Sequence, residues 1–376
     1  MVKHEKRGSM NNISVIGIGR LGLCFALTLE KAGYNVVGVD IDQSYVDLIN
    51  SKTLKSSEKD VENYLAKSEN FFATTILKNA INHSDLIFVV VATPSLPDGR
   101  YNHSQVDALV EKLQAYGASK QQKHFVICCT VMPGYTDSIK EKLEKLNYTV
   151  SYNPEFIAQG TILRDQAYPD MVLIGEANPV VGQMIEEVYS KHTLSNPRIC
   201  RMTPIEAEIT KISLNCFLTT KIAYANMVGD IVLQSGGRPD VVLNAIGSDS
   251  RIGNKYLRYG YGYGGPCFPR DNRALGIYAE DIHIPAEISK ATDKSNELHL
   301  EYQIEDFAKS HSVLEQVVFT SVTYKPESTM LVESQQLKYA AGIAKRGFKV
   351  LIDERQEVVD EVRMMYGDLF QYKVRN

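Results

Sequence analysis

The chain has no tryptophan, no Cys-x-x-Cys pair, no His-Glu-x-x-His and no excess of positive charge, and each absence removes a class of protein. The six cysteines (24, 128, 129, 200, 216 and 267) follow no disulfide-framework spacing, and no signal-peptide pattern precedes them. Reduced thiols in a cytoplasmic compartment are therefore expected. The eight histidines make no tight cluster with cysteine, so no metal is expected. With 41 basic against 45 acidic residues, the chain lacks the field that nucleic acid requires. No unbroken apolar run reaches the ~18 residues that span a bilayer, so no membrane partner is expected.

What is present fits an enzyme of small ligands. At 376 residues, 44% hydrophobic and 23% charged, the chain exceeds what one core usually supports, and two or three domains are expected. Residues 1–10 are charged and patternless and are expected to form a flexible tail.

The segment Ile13-Ser-Val-Ile-Gly17-Ile-Gly19 reads as a buried parallel strand, and Arg20-Leu21-Gly22 opens a helix that runs toward Gly33. A second strand, Asn35 to Asp40, ends in an acid 18 residues after Gly22. Strand, glycine turn, helix and terminal acid together point to dinucleotide binding. Gly17 would make the tight turn, Gly19 would let backbone approach a pyrophosphate, and Gly22 would let helix pack on strand. Asp40 would accept from the adenosine ribose and repel a 2′-phosphate, which favours NAD over NADP.

Further apolar runs at Leu86–Ala92, His124–Cys129 and Tyr148–Ser151 alternate with polar, helix-like stretches. That alternation predicts a doubly wound parallel sheet. Thr93, Thr130 and Glu155 of Asn153-Pro-Glu155-Phe156 then fall just past strand ends, where open α/β sheets bind ligands. Either threonine alone could be a strand-end cap; the carboxylate is placed for acid/base work.

From Thr203 one long amphipathic run is predicted to be a helix through Asn226, with Lys211 and Asn215 four apart on one face. Taken alone, Lys211 reads as a solvated surface lysine. Tyr261-Gly-Tyr-Gly-Gly-Pro-Cys267-Phe-Pro-Arg-Asp271 sets one thiol in a loop built of glycine and proline, with a carboxylate four residues on. A lone cysteine is more often a packing residue, but this loop suits a reactive thiol. Val317–Lys325, a helix and Gly347–Asp353 predict a second, small α/β unit, and the tail from Arg355 shows one helix-like stretch.

In this order the motifs resemble the nucleotide-sugar dehydrogenase family, from about Asn12 to Asp353. The resemblance implies an α/β protein with an NAD-binding Rossmann-like domain at 11–202, a central long-helix dimerisation domain with the cysteine loop at 203–305, and a shortened UDP-sugar-binding α/β domain at 306–376. It implies four-electron oxidation of a sugar C6 alcohol, UDP-glucose to UDP-glucuronate, through a thiohemiacetal and thioester on Cys267. Lys211 and Asn215 would steady the oxyanion, Asp271 would orient water, Glu155 would move protons in hydrolysis, and Thr130 would hold water near the nicotinamide.

NAD would rest on Gly17, Gly19, Arg20, Leu21, Gly22, Asp40, Thr93, Thr130 and Arg270. The nucleotide sugar would meet Glu155, Phe156, Gln159, Lys211, Asn215, Arg258, Tyr259, Gly264 and Lys325, with Arg251 reaching across a homodimer. The chain also departs from the family pattern. Met330 and Val332 stand where an Asp and an NAD-contacting Arg are usual, the loop after Phe156 reads Ile-Ala-Gln159-Gly where an Arg-Glu pair is common, and the third domain stops early. Weaker NAD binding and an incomplete roof over the UDP site are the expected consequences. Two alternatives stay open: the same chemistry on a UDP-N-acetylhexosamine or GDP-mannose, or a degenerate paralogue that holds nucleotide sugar without turnover. A 2-hydroxy acid or 6-phosphogluconate dehydrogenase fits less well, because a two-electron oxidation needs no thiol.

Overall fold

The computed structural model describes residues 11–158, 160–325 and 328–375; the tail 1–10 and Gln159 lie outside the described residues. The chain separates into two compact units, one ending at Lys211 and the other starting at Ile212.

The first unit is built on an eight-stranded sheet. Its strands are β1 Asn12–Ile16, β2 Asn35–Val39, β3 Phe71–Thr74, β4 Leu86–Val89, β5 Lys123–Ile127, β6 Tyr148–Tyr152, β7 Met171–Gly175 and β8 Arg198–Met202. They lie in the order β3-β2-β1-β4-β5-β6-β7-β8. Pairing is parallel from β3 to β6, β6 meets β7 antiparallel through Tyr152 and Gly175, and β8 pairs parallel to β7. The doubly wound parallel sheet expected from sequence is thus present, extended by two strands of opposite sense.

Both faces of this sheet are buried, which explains its near-continuous apolar strands. Val126 and Cys128 join one core with Val15, Phe25 and Ile185, while Phe125 and Ile127 join the other with Ile87, Val110 and Leu143. The order 3-2-1-4-5-6 reverses direction between β1 and β4, and such a switch point opens a crevice at the carboxyl ends of the strands.

The second unit contains most of the helix Pro204–Gln234, then helices Pro239–Gly247, Phe268–Asp281 and Glu287–Ser310. A three-stranded parallel sheet follows, ordered β11-β10-β9, from β9 Gln316–Phe319, β10 Lys349–Glu354 and β11 Gln371–Val374. Phe319, Leu337, Ile343, Val350, Ile352 and Val358 form its core. The tail, expected to hold one helix, holds the helix Gln356–Tyr366 and also the edge strand β11.

Pro204–Gln234 runs one turn-pair past the predicted end at Asn226 and differs from a simple amphipathic helix. Ala207, Ile212, Cys216 and Ala223 are buried, yet Phe217, Tyr224, Met227 and Ile231 are exposed, so apolar residues line both sides. Among the described residues this helix has the length and mean hydropathy to cross a bilayer. Its buried Glu208, committed to three hydrogen bonds within the first unit, marks it instead as a core helix of the fold.

Candidate active site

The glycine turn follows β1 and is dictated by space. Gly17 has φ +89° and donates to Val39 O at 2.8 Å; a Cβ there would sit 2.8 Å from the Val90 backbone. A Cβ on Gly22 would lie 2.0 Å from Gly17 O. Gly19, at the N-cap of the helix Arg20–Lys31, has nothing within 4 Å of its would-be Cβ. Two glycines that let backbone pack on backbone, and one that faces open space at a helix N-terminus, fit a pyrophosphate cradle. Leu21 leans on the core, whereas Arg20 is exposed and lies 3.9 Å from the buried Glu58. Asp40 is half-buried just past β2, its Oδ1 accepting from Asp42 N at 3.2 Å.

Three neighbouring strand ends bring Thr93, Thr130 and Glu155 to the same edge of the sheet, past β4, β5 and β6. Thr93 is buried and donates to the Thr130 carbonyl at 2.7 Å, which ties the first two loops together. Glu155 accepts from the Tyr189 hydroxyl at 2.9 Å. Burial raises the Glu155 carboxyl to about 7, against the lowering effects of the Tyr189 hydrogen bond and the Lys211 charge. A carboxyl poised there can both give and take a proton near neutrality.

Lys211 is only 8% exposed, so it is not the solvated surface lysine its isolated context suggests. Its ammonium donates to the Glu155 carbonyl at 2.7 Å and sits 4.2 Å from the centre of the Phe156 ring.

In the second unit, Cys267 is exposed and occupies the N-cap of the helix Phe268–Asp281, an end that favours negative charge. It is no packing cysteine. Cys24, Cys128 and Cys216 are buried, and burial pushes the Cys24 thiol up to about 12 and the other two well above their ordinary value. Asp271, one turn into that helix, donates its backbone N–H to Cys267 O at 2.8 Å and accepts from the Asn215 amide at 2.6 Å. Arg270 Nε lies 3.7 Å from Asp271 Oδ1.

The loop before Cys267 is set by close approach. A Cβ on Gly264 would lie 2.2 Å from Glu333 O, while Gly265, at φ +81°, donates to Val332 O at 3.1 Å and rests against the Tyr324 ring. Lys325 follows that tyrosine and is half-buried, its carbonyl accepting from Thr323 Oγ1. Arg258 is exposed, as is Arg251, which pairs with Asp249 at 2.7 Å. Tyr259 turns inward, donating to Asp230 at 2.9 Å beside His299.

Sequence reasoning overlooked two residues. Glu208 accepts from Gly134 N and Thr136 N at 2.6 and 2.9 Å, capping the helix Tyr135–Glu144 that starts after Thr130. Tyr189 reaches Glu155 from the helix Pro179–His192. Neither has a local sequence signal, since their partners lie 74 and 34 residues away.

The strand order, the glycine turn and the terminal acid define a dinucleotide-binding domain of the dehydrogenase type. Comparison with known proteins carries this further. Residues 11–193 match the NAD binding domain of the UDP-glucose/GDP-mannose dehydrogenase family, and residues 205–298 match its central domain. A UDP-glucose 6-dehydrogenase of Rickettsia conorii is 32% identical over 294 residues, covering 76% of this chain and 66% of that protein, just under two thirds of its length. GDP-mannose 6-dehydrogenase of Pseudomonas aeruginosa is 28% identical over 357 residues, covering 91% and 81%. The solved structure of a UDP-glucose dehydrogenase from Pyrobaculum islandicum superposes with a TM-score of 0.86 at 27% identity, covering 100% of this chain and 88% of that one. The chain belongs to the UDP-glucose/GDP-mannose dehydrogenase family, an oxidoreductase family whose N-terminal domain binds NAD.

Proposed function

We propose that the protein oxidises the C6 alcohol of UDP-glucose to the carboxylate of UDP-glucuronate. The observation that carries this is an exposed Cys267 at the start of a helix, with Asp271 one turn on and bonded to Asn215. Bound NAD supplies the hydride acceptor, held by Gly17, Gly19, Arg20, Leu21, Gly22, Asp40, Thr93, Thr130 and Arg270. An aldehyde carbon has no hydride to lose until a nucleophile adds. The Cys267 thiolate forms a C–S bond to that carbon, giving a thiohemiacetal whose oxidation leaves a thioester. Lys211 and Asn215 steady the oxyanion at each stage. Glu155 takes a proton from the water that attacks the thioester, Asp271 orients that water, and the C–S bond breaks to return the thiolate.

On this reading residues 11–202 form the cofactor domain, 203–305 the central domain and 306–376 the sugar-binding domain. Arg251, Arg258, Tyr259, Gly264, Lys325, Phe156 and Gln159 serve the nucleotide sugar. The apolar side of Pro204–Gln234 pairs two copies into a homodimer, and six cysteines in no disulfide suit work in the cytosol.

A second reading replaces the substrate by GDP-mannose. The Pseudomonas aeruginosa relative, named for that sugar, matches 91% of this chain against 76% for the Rickettsia conorii protein. NADH formed per sugar consumed tests the chemistry, and a panel of UDP-glucose, GDP-mannose and two UDP-N-acetylhexosamines tests the substrate. Two NADH per UDP-glucose are expected. One NADH per sugar, or full turnover by Cys267→Ser, overturns the thioester route.

A further inference from the structure

Tyr189 is buried, its ring set against those of Phe25 and His192. Its hydroxyl has two acceptor neighbours, Asn153 Oδ1 at 2.8 Å and Glu155 Oε1 at 2.9 Å. A phenol has one proton to give. The Asn153 amide has no freedom to turn and offer a donor, because its Nδ2 is committed to the Leu173 carbonyl at 2.8 Å and the residue is fully buried.

Both bonds coexist in only one protonation state. When Glu155 carries a proton, its O–H donates to the Tyr189 oxygen and Tyr189 donates to Asn153. When Glu155 is ionised, Tyr189 must give its proton to the carboxylate, and Asn153 Oδ1 is left buried without a donor, which is costly. We propose that Asn153 is a positioning residue that favours the acid form of Glu155 through Tyr189, by drawing the single phenolic proton away from the carboxylate.

The other groups facing Glu155 do not duplicate this. Lys211, from the helix Pro204–Gln234, binds the Glu155 backbone carbonyl and favours the charged carboxylate. Cys128, just past β5, stays neutral because burial pushes its thiol up, and Tyr189 stays protonated for the same reason. Each time Glu155 takes a proton from water, the Tyr189 proton returns to Asn153, and each time Glu155 loses one it swings back. That consequence for turnover rests on the dehydrogenase reading; the proton arrangement does not.

The test follows the carboxylic-acid C=O infrared band of Glu155 against pH in the protein without substrate, the band being the one absent from Glu155→Gln. In the parent protein the midpoint falls near neutrality. Asn153→Ala is expected to lower it by about one pH unit, the worth of one hydrogen bond to the neutral form. Tyr189→Phe is expected to raise it, because the ionised form loses the stronger, charge-assisted bond. With Tyr189→Phe already present, Asn153→Ala should move it no further, since Asn153 acts only through the phenol. An unmoved midpoint in Asn153→Ala, or an equal shift in both backgrounds, overturns the proposal. If Asn153→Ala does not fold, Tyr189→Phe decides alone, and an unchanged or lowered midpoint overturns it. Failure to form NADH from any nucleotide sugar would defeat the catalytic reading and leave these midpoints as they are.

Discussion

Asn215 donates its side-chain amide to Asp271 Oδ2 over 2.6 Å, joining the helix Pro204–Gln234 to the first turn of the helix that begins beside Cys267. Asp271 is 1% exposed, so its carboxylate depends on such partners rather than on water. Asp271→Asn keeps the shape but removes the charge, and is expected to lower kcat by about 100-fold or more with little change in unfolding midpoint. Asn215→Ala leaves the buried carboxylate short of a donor and should cost about 1–3 kcal/mol in urea unfolding as well as activity.

Gly19 and Gly22 separate binding from folding. Gly22→Ala drives a Cβ to 2.0 Å from Gly17 O and must distort the turn, costing about 1–3 kcal/mol of stability. Gly19→Ala meets nothing within 4 Å, so stability should hold while NAD binding weakens by about tenfold, the new methyl entering the space a pyrophosphate would occupy. Calorimetric titration beside thermal unfolding reads both.

Acid stability should show two opposed groups. His192 is buried with its Nε2 2.8 Å from Thr28 Oγ1, and that hydroxyl also donates to backbone carbonyls at 2.9–3.0 Å, so Nε2 carries the imidazole proton. Burial lowers His192 to about 4, since charging it would put a proton on a buried Nδ1 without a partner. Between its unfolded value of about 6.5 and 4 the unfolded chain binds more protons, so stability falls by about 1.4 kcal/mol per pH unit on acidification. Glu155, raised to about 7, does the reverse: the folded state binds more protons from about 7 down to its unfolded value near 4.5, and stability rises on acidification. The parent should therefore change little between about pH 6.5 and 4.5 from these two groups. Glu155→Gln should expose the acid loss, and His192→Gln should expose the acid gain, in urea midpoints measured across that range.

Phe217, Tyr224 and Ile231 are spaced by seven along Pro204–Gln234 and are 66%, 47% and 58% exposed. On the homodimer proposed above, a stripe with that spacing would pack against the same helix of a second copy. Sedimentation should find a dimer in the parent and a monomer in Phe217→Glu/Ile231→Glu, with the circular dichroism spectrum retained.

What was legible in the sequence was local. The turn at Gly17, the N-cap at Gly19 and the acid at Asp40 are set by steric demands that act within a few residues, and these demands show in residue type. Strands β1, β2, β4, β5 and β6 were readable because burial on both faces makes their runs apolar. β3, β8 and β11 were not, being short or carrying polar residues such as Arg198, Arg201 and Lys373. β7, Met171–Gly175, carries an apolar signal of the same kind as the strands before it. Lys211 looked like a surface residue because nothing near it in sequence covers it; Glu155 and Phe156, some 56 residues earlier, do so.

The sequence by itself determined the chemistry available: a glycine turn with a terminal acid, a thiol in a glycine loop, and a lysine and an asparagine one helical turn apart. Residue type and short spacing decide these, and both are written along the chain. Tertiary structure alone decided the state in which those groups sit. Only packing half-buries Glu155, sets a single Tyr189 proton between two acceptors and leaves Cys267 exposed while four other thiols are buried. Desolvation and the sharing of one proton depend on neighbours that the fold brings together from far along the chain.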